Sequence, residues 1–186
     1  MTEMIRHIKS QWHLAAFILS MLIGCSATVQ ADVVQRAEDW FANITTMRAD
    51  FTQIASDGSA AEGQIMMRRP SRLKITYDGV PALNLISTSV WLHVDQPDER
   101  RVTSYPISET PLSLILVDPV SLRPAGFETI VTPRAGGITQ IAINKENGEG
   151  AGRLTLEFTD RPFQLRRWIV EDVAGIQTSV TLQNMT

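Results

Sequence analysis

RLKITY, residues 72–77, sets the period of this chain: Leu73, Ile75 and Tyr77 fall on one face, and Arg72, Lys74 and Thr76 on the other. Side chains alternate along an extended strand, so this segment predicts a strand with one buried and one wet face. RLTLEF, 153–158, repeats the pattern with Leu154, Leu156 and Phe158 against Arg153, Thr155 and Glu157. Similar short segments recur at 63–68, 82–86, 90–95, 100–105, 128–132, 138–143, 164–171 and 177–183, separated by SDG, YDG, QPDE, RAGG and NGEGAG. Gaps this short leave no room for crossover helices, so the strands run antiparallel. One buried face per strand fits a single curved sheet better than a sandwich. The expected fold class is mainly β with helices (α+β): an incomplete, strongly curved antiparallel β-barrel, or half-barrel, with an apolar concave face that needs a cover.

Two segments supply one. Residues 32–48 carry Val33, Ala37, Trp40, Phe41, Ile44 and Met47 at helical spacing, with Asp32 placed to cap an N-terminal helix. ETPLSLILVDP, 109–119, places Leu112, Leu114, Ile115, Leu116 and Val117 together with almost nothing polar between them. Thr110 as N-cap and Pro111 at the first position start a short helix there, Asp118-Pro119 stops it after about two turns, and Ser121 can start another. Helices this short hold only by packing. The lid segment is therefore expected over about 109–125, apolar and easily displaced.

With 186 residues, 44% hydrophobic and 20% charged, the chain suits one domain with a sizeable core. A net charge of −3 and the absence of any basic run longer than pairs such as Arg68-Arg69 and Arg166-Arg167 argue against nucleic acid. Arg6 and Lys9, the apolar run LAAFILSMLIG at 14–24 and VQA at 29–31 have the form of an export signal, so residues 1–31 read as a cleaved signal peptide and 32–186 as a single domain. LIGC at 22–25 also has the form of a lipobox, in which Cys25 is acylated and anchors the protein to a membrane. Cys25 is the sole cysteine, so no disulfide supports the fold.

The inventory for bond chemistry is poor. Past residue 31 the chain keeps one histidine, His93, and no cysteine, which rules out Cys–His pairs and multi-histidine metal sites. No nucleophile elbow, phosphate loop or dinucleotide fingerprint occurs. Asp95, Asp98 and Glu99 offer carboxylates of the kind glycoside hydrolysis uses, but they surround a proline turn where charge serves solubility. No catalytic residue, cofactor or metal is expected.

Three runs, MRADFTQIASDGSAAEGQIMMRRPSRLKITYDGVP (47–81), ETPLSLIL (109–116) and RLTLEFTDRPFQLRRWIVEDVAGIQTSVTL (153–182), resemble the outer-membrane lipoprotein carrier proteins, LolA. The diagnostic pieces are F-T-Q after an amphipathic helix, G-x-x-x-x-x-R-P entering a strand, and T-P-L before a Leu-rich segment, and their order is what carries the likeness. The resemblance implies a helix-lidded half-barrel in the periplasm whose cavity takes the acyl chains of lipoproteins. These are released at the inner membrane by a lipoprotein-releasing ABC transporter and handed to an outer-membrane lipoprotein receptor. It implies a monomer that is not an enzyme. It also implies that Arg69, in the R-P pair, latches sheet to lid, and that Leu73, Ile75, Tyr77, Leu83, Leu85, Trp91, Leu112, Ile115 and Leu116 line the acyl-chain cavity. The alternatives are a membrane-anchored receptor resembling LolB, acylated at Cys25, and a periplasmic domain that senses lipoproteins. STS at 87–89 replaces the family's usual hairpin turn, and the chain ends soon after TSVTLQ, so register at the first and openness of the barrel along the second are the expected departures.

Overall fold

The computed structural model describes residues 25–145 and 151–186, with side chains from residue 32 onward. Residues 1–24, the greater part of the export segment, and the side chain of Cys25 lie outside the described residues. A first helix, α1, spans Cys25–Asn43. The strands are β1 Thr46–Ala55, β2 Ala60–Arg68, β3 Arg72–Tyr77, β4 Leu83–Ser87, β5 Trp91–Gln96, β6 Arg101–Pro106, β7 Glu128–Arg134, β8 Ile138–Lys145, β9 Gly152–Asp160, β10 Phe163–Glu171 and β11 Gln177–Gln183, with a short helix α2, Ser113–Leu116, after β6. The chain divides into two units between Gln35 and Arg36, and the sheet, the lid segment and the last turns of α1 all belong to Arg36–Thr186.

All eleven strands form one antiparallel sheet in the order β6-β5-β4-β3-β2-β1-β11-β10-β9-β8-β7. β6 and β7 end it and do not pair, so the barrel is not closed. Its inner face is continuous: Met47, Ala49 and Phe51 of β1, Ile65 and Met67 of β2, Leu73 and Ile75 of β3, Leu154, Leu156 and Phe158 of β9, and Val180 and Leu182 of β11 are all buried. Phe41, at the end of α1, is fully buried and meets Phe158 edge-on with ring centroids 6.2 Å apart, while Trp40 meets the same ring at 5.6 Å. Arg36 lies 4.2 Å over the ring of Phe163, which stacks on Phe158.

Gly63 explains part of the G-x-x-x-x-x-R-P pattern. It sits on the inner face of β2 directly between Phe51 of β1 and Tyr77 of β3. A Cβ there would run into the Thr76 carbonyl oxygen and the Phe51 ring. The missing side chain lets Phe51 and Tyr77 meet edge-on across it, 5.2 Å apart.

Four expectations need correction. Residues 46–55 were not expected as a strand, because Met47 continues the helical spacing of Phe41 and Ile44; α1 stops at Asn43, and Met47, Ala49 and Phe51 alternate along β1 instead. Asp32 is not a cap, since α1 runs through it from Cys25. The segment after Asp118 forms no second helix, although Val120 and Leu122 are buried. The sheet is not open along β11, which lies between β1 and β10 and pairs with both; Thr186 itself exchanges two backbone hydrogen bonds of 2.9 Å with Arg48.

Candidate lid and apolar cavity

The lid segment makes one helical turn. Backbone bonds run from Ser113 N to Thr110 O and from Leu116 N to Leu112 O, so the turn starts where Pro111 fixes the backbone. Thr110 does not cap it: its hydroxyl donates back to the Ile107 carbonyl at 2.8 Å, and Ser113 Oγ donates to the Thr110 carbonyl. Val117 turns extended, ending α2 before Asp118-Pro119. Ile115 and Leu116 are 1% and 2% exposed, which is how so short a helix persists.

Short helices leave their last carbonyls without intrahelical partners. Here the turn between β2 and β3 takes two of them. Ser71 N donates to Leu116 O at 3.0 Å, and Arg69 Nη2 donates to Val117 O at 2.7 Å. The Arg69 side chain is only 5% exposed, with Asp118 Oδ1 3.7 Å away on a side chain that is 64% exposed. That carboxylate is well solvated and adds little. Nη1 is buried without any partner, and burial pushes the guanidinium pKa down against the weaker pull of Asp118. Desolvating an unpaired donor costs free energy. The closed contact thus carries its own opposing term.

A second tie holds the other end of the segment. Glu38 of α1 accepts the Leu122 amide at 2.7 Å, and the Leu122 carbonyl accepts from Thr129 Oγ1 at 2.6 Å. Leu122 is fully buried.

Under the lid lies an apolar cavity of about 230 Å³. Ile75, Tyr77 and Leu85 line it from β3 and β4, Leu112 from the lid, and Trp168, Val170 and Val180 from β10 and β11. Strands this far apart in the sheet order share one cavity only because the sheet curls. Tyr77 donates to Gln53 Oε1 at 2.8 Å, and its burial raises the phenol pKa above its ordinary value. A larger recess of about 470 Å³ lies on the other side of the lid, lined by Leu114, Leu116 and Val117 with Pro70, Ser71, Thr88 and Ser89.

The structure distributes the sequence candidates unevenly. Ile75, Tyr77, Leu85 and Leu112 line the first cavity. Leu116 lines the second, and Ile115 is buried without lining either. Leu73 is buried on the inner face but lies beside Arg69, outside both cavities; Leu83 pairs with Tyr77 and lines neither. Trp91 is a correction. The β4–β5 connection is Thr88-Ser89-Val90, which sets Ser87 opposite Leu92; this turns Leu92 inward and leaves Trp91 43% exposed on the opposite face. Phe51, Ile65, Leu92 and Trp168 line the cavity and were not candidates. Alternation about Leu92 was the available signal for that residue.

The residues considered for bond chemistry have structural partners. His93 Nδ1 is 2.8 Å from Ser104 Oγ. Asp95 accepts from Asn84, Asp98 from the Ala82 amide, and Glu99 pairs with Arg101. Among the described residues no group of three or more metal-ligating side chains converges.

The family model of the outer membrane lipoprotein carrier protein LolA matches residues 42–186, a span that contains every strand and the whole lid. The chain belongs to the LolA family. An outer-membrane lipoprotein carrier protein from Methylobacillus flagellatus is 24% identical over 183 residues, covering 92% of this chain and 85% of that protein. A LolA superfamily protein from Nitrosomonas europaea aligns with a TM-score of 0.47 at 6% identity, over 84% of this chain and 92% of the other. Of the sequence motifs, Arg69-Pro70 and Thr110-Pro111-Leu112 lie at the lid, and Gly63 lies between Phe51 and Tyr77, which line the cavity.

Proposed function

We propose that this protein is a periplasmic carrier that takes up the acyl chains of lipoproteins released at the inner membrane and delivers them to the outer membrane, with no bond chemistry of its own. The observation that carries the reading is a Leu-rich turn, tied by Arg69 and Ser71, covering a curved apolar face that it only partly fills. A space of about 230 Å³ is below the range of roughly 300–1,000 Å³ common for small-ligand clefts. A long chain must therefore displace the lid.

Displacement makes reversible binding possible. Each methylene buried is worth about 0.8 kcal/mol, so a permanently empty pocket would hold a long acyl chain too tightly to release it. When no lipid is present Leu112 lines this space half-buried, and Ile115 and Leu116 of the same turn are fully buried, worth roughly 2 kcal/mol each. The ligand gains only the difference between its own burial and theirs, a shift between closed and open populations. Arg69 latches the closed one. The donor of the cargo would be the inner-membrane lipoprotein-releasing transporter and the acceptor an outer-membrane receptor, served by a monomer.

Purification of the native protein from the periplasm, followed by lipid extraction and mass spectrometry, tests this. About one lipoprotein or one set of acyl chains per protein is expected, on a chain starting at Asp32. A chain with no lipid and a rigid, filled interior would overturn the reading. A lipid on Cys25 would make it a membrane-anchored receptor of the same family.

A further inference from the structure

The F-T-Q piece ends in a glutamine that neither the lid nor its latch uses. Gln53 follows Phe51 on the inner face of β1, and both line the cavity beneath the lid. Gln53 Oε1 accepts from the Tyr77 hydroxyl at 2.8 Å, while its Nε2 has no hydrogen-bond partner among the described residues. That nitrogen is not sealed in, because the buried side-chain polar atoms without a partner among the described residues are Arg69 Nη1 and Arg167 Nε. Thr178 lines the same cavity from β11, diagonally across from Gln53, and its hydroxyl is also unpartnered among the described residues.

Tyr77 ends β3, Thr178 lies at the start of β11 and Gln53 near the end of β1, so the three polar groups share one end of the cavity. They are half-buried, whereas Phe51, Ile65, Trp168 and Val180 are buried. Among the described residues no charged side chain lines this space. Ligand pockets are mostly apolar, with a few polar groups that fix orientation. An acyl chain has one polar point, the carbonyl at its head. An ester carbonyl accepts hydrogen bonds and donates none, which matches the two free N–H donors of Gln53. A free acid would bring its carboxylate into a space with no cation to pair it.

We propose that Gln53 binds the ester carbonyl of an acyl chain held beneath the lid. Nε2 donates to the carbonyl oxygen, Tyr77 steadies the amide through Oε1, and the hydrocarbon runs from there along Phe51, Ile65 and Trp168. The site fixes which end of the chain lies deep and selects esterified chains over free acids. The inference rests on the acyl-carrier reading and deepens it by naming the linkage that is recognised.

The test is calorimetric titration of the full chain, at neutral pH, with methyl decanoate, decyl methyl ether and decanoate. Methyl decanoate should bind about tenfold more tightly than the ether, which leaves the Gln53 donors unpaired, and more tightly than the free acid. Gln53→Leu should bring the ester down to the affinity of the ether. Gln53→Glu keeps an acceptor for Tyr77 but no donor, and it should lose the preference as well; a purely structural role for Gln53 would leave the preference in place. In the wild-type protein the infrared stretch of the bound ester carbonyl should lie below its frequency in a hydrocarbon solvent. Equal affinity for ester and ether, a preference that survives either substitution, or an unshifted carbonyl stretch overturns the Gln53 site and leaves the carrier reading standing. Decanoate binding as tightly as the ester overturns selection by linkage. Failure of all three ligands to bind overturns the carrier reading and this one with it.

Discussion

Arg69 Nη2 donates to the Val117 carbonyl at 2.7 Å, joining the end of β2 to the end of the lid helix across 48 positions of sequence. Removing the donor should release the lid while leaving the sheet intact. A charged donor to a carbonyl contributes about 1.5–3 kcal/mol, and the unpaired Nη1 beside it offsets part of that. Arg69→Leu should therefore raise amide hydrogen exchange at Leu116 and Val117 by tenfold or more, with strand amides unchanged. In transfer assays the variant should accept lipoprotein and pass it on poorly. Transfer at the wild-type rate would remove the latch.

Glu38 is the acceptor at the other end of the lid segment. Glu38→Ala leaves the amide of fully buried Leu122 without a partner, a loss of about 1–3 kcal/mol. Glu38→Gln keeps an acceptor oxygen and should retain most of that stability. Urea unfolding of the two variants checks the contrast; equal losses would mean that the hydrogen bond is not what holds Leu122.

Gly63→Ala drives a methyl group against the Thr76 backbone and the Phe51 ring. Overpacking of this kind costs about 1–3 kcal/mol, more where backbone must move. Thermal unfolding should show the loss, and Phe51→Ala in the same chain should recover only the part due to the ring.

Tyr77 is half-buried, and desolvation holds its phenol pKa above the ordinary value near 10. A raised native pKa means that the neutral form is favoured by folding. The stability it contributes is present in full below the unfolded pKa and is lost as pH rises through the native one. Alkaline difference spectroscopy should show a late phenolate step that Tyr77→Phe abolishes, and the variant's stability should fall less steeply above pH 10. An ordinary titration of Tyr77 would contradict its burial against Gln53.

Strand periodicity made most of the sheet legible in sequence, because alternation such as Leu73, Ile75 and Tyr77 reports one buried face directly. β1 was not legible, since Phe41, Ile44 and Met47 keep a helical spacing across the helix end and only the chain's turn at Asn43 breaks it. Trp91 and Leu92 exchanged faces because a single residue of loop length inverts a strand, and loop length follows from pairing that the local sequence does not encode. Arg69 was found through its motif. Its partner, a main-chain carbonyl at Val117, has no side-chain signature. The β10 wall escaped for a related reason: the irregularity between Leu165 and Arg167 shifts the alternation that brings Trp168 inward.

Trp168 and Trp91 together offer the most direct test that acyl chains occupy the curved face beneath the lid. Trp168 is 5% exposed and lines the cavity, whereas Trp91 is 43% exposed on the other face. Titration of the full chain with a brominated acyl chain, a contact quencher of indole fluorescence, should quench the Trp91→Phe protein as strongly as wild type. It should leave most of the emission of the Trp168→Phe protein intact. Quenching that disappears with Trp91 and survives loss of Trp168 would place the lipid outside the cavity and contradict the account.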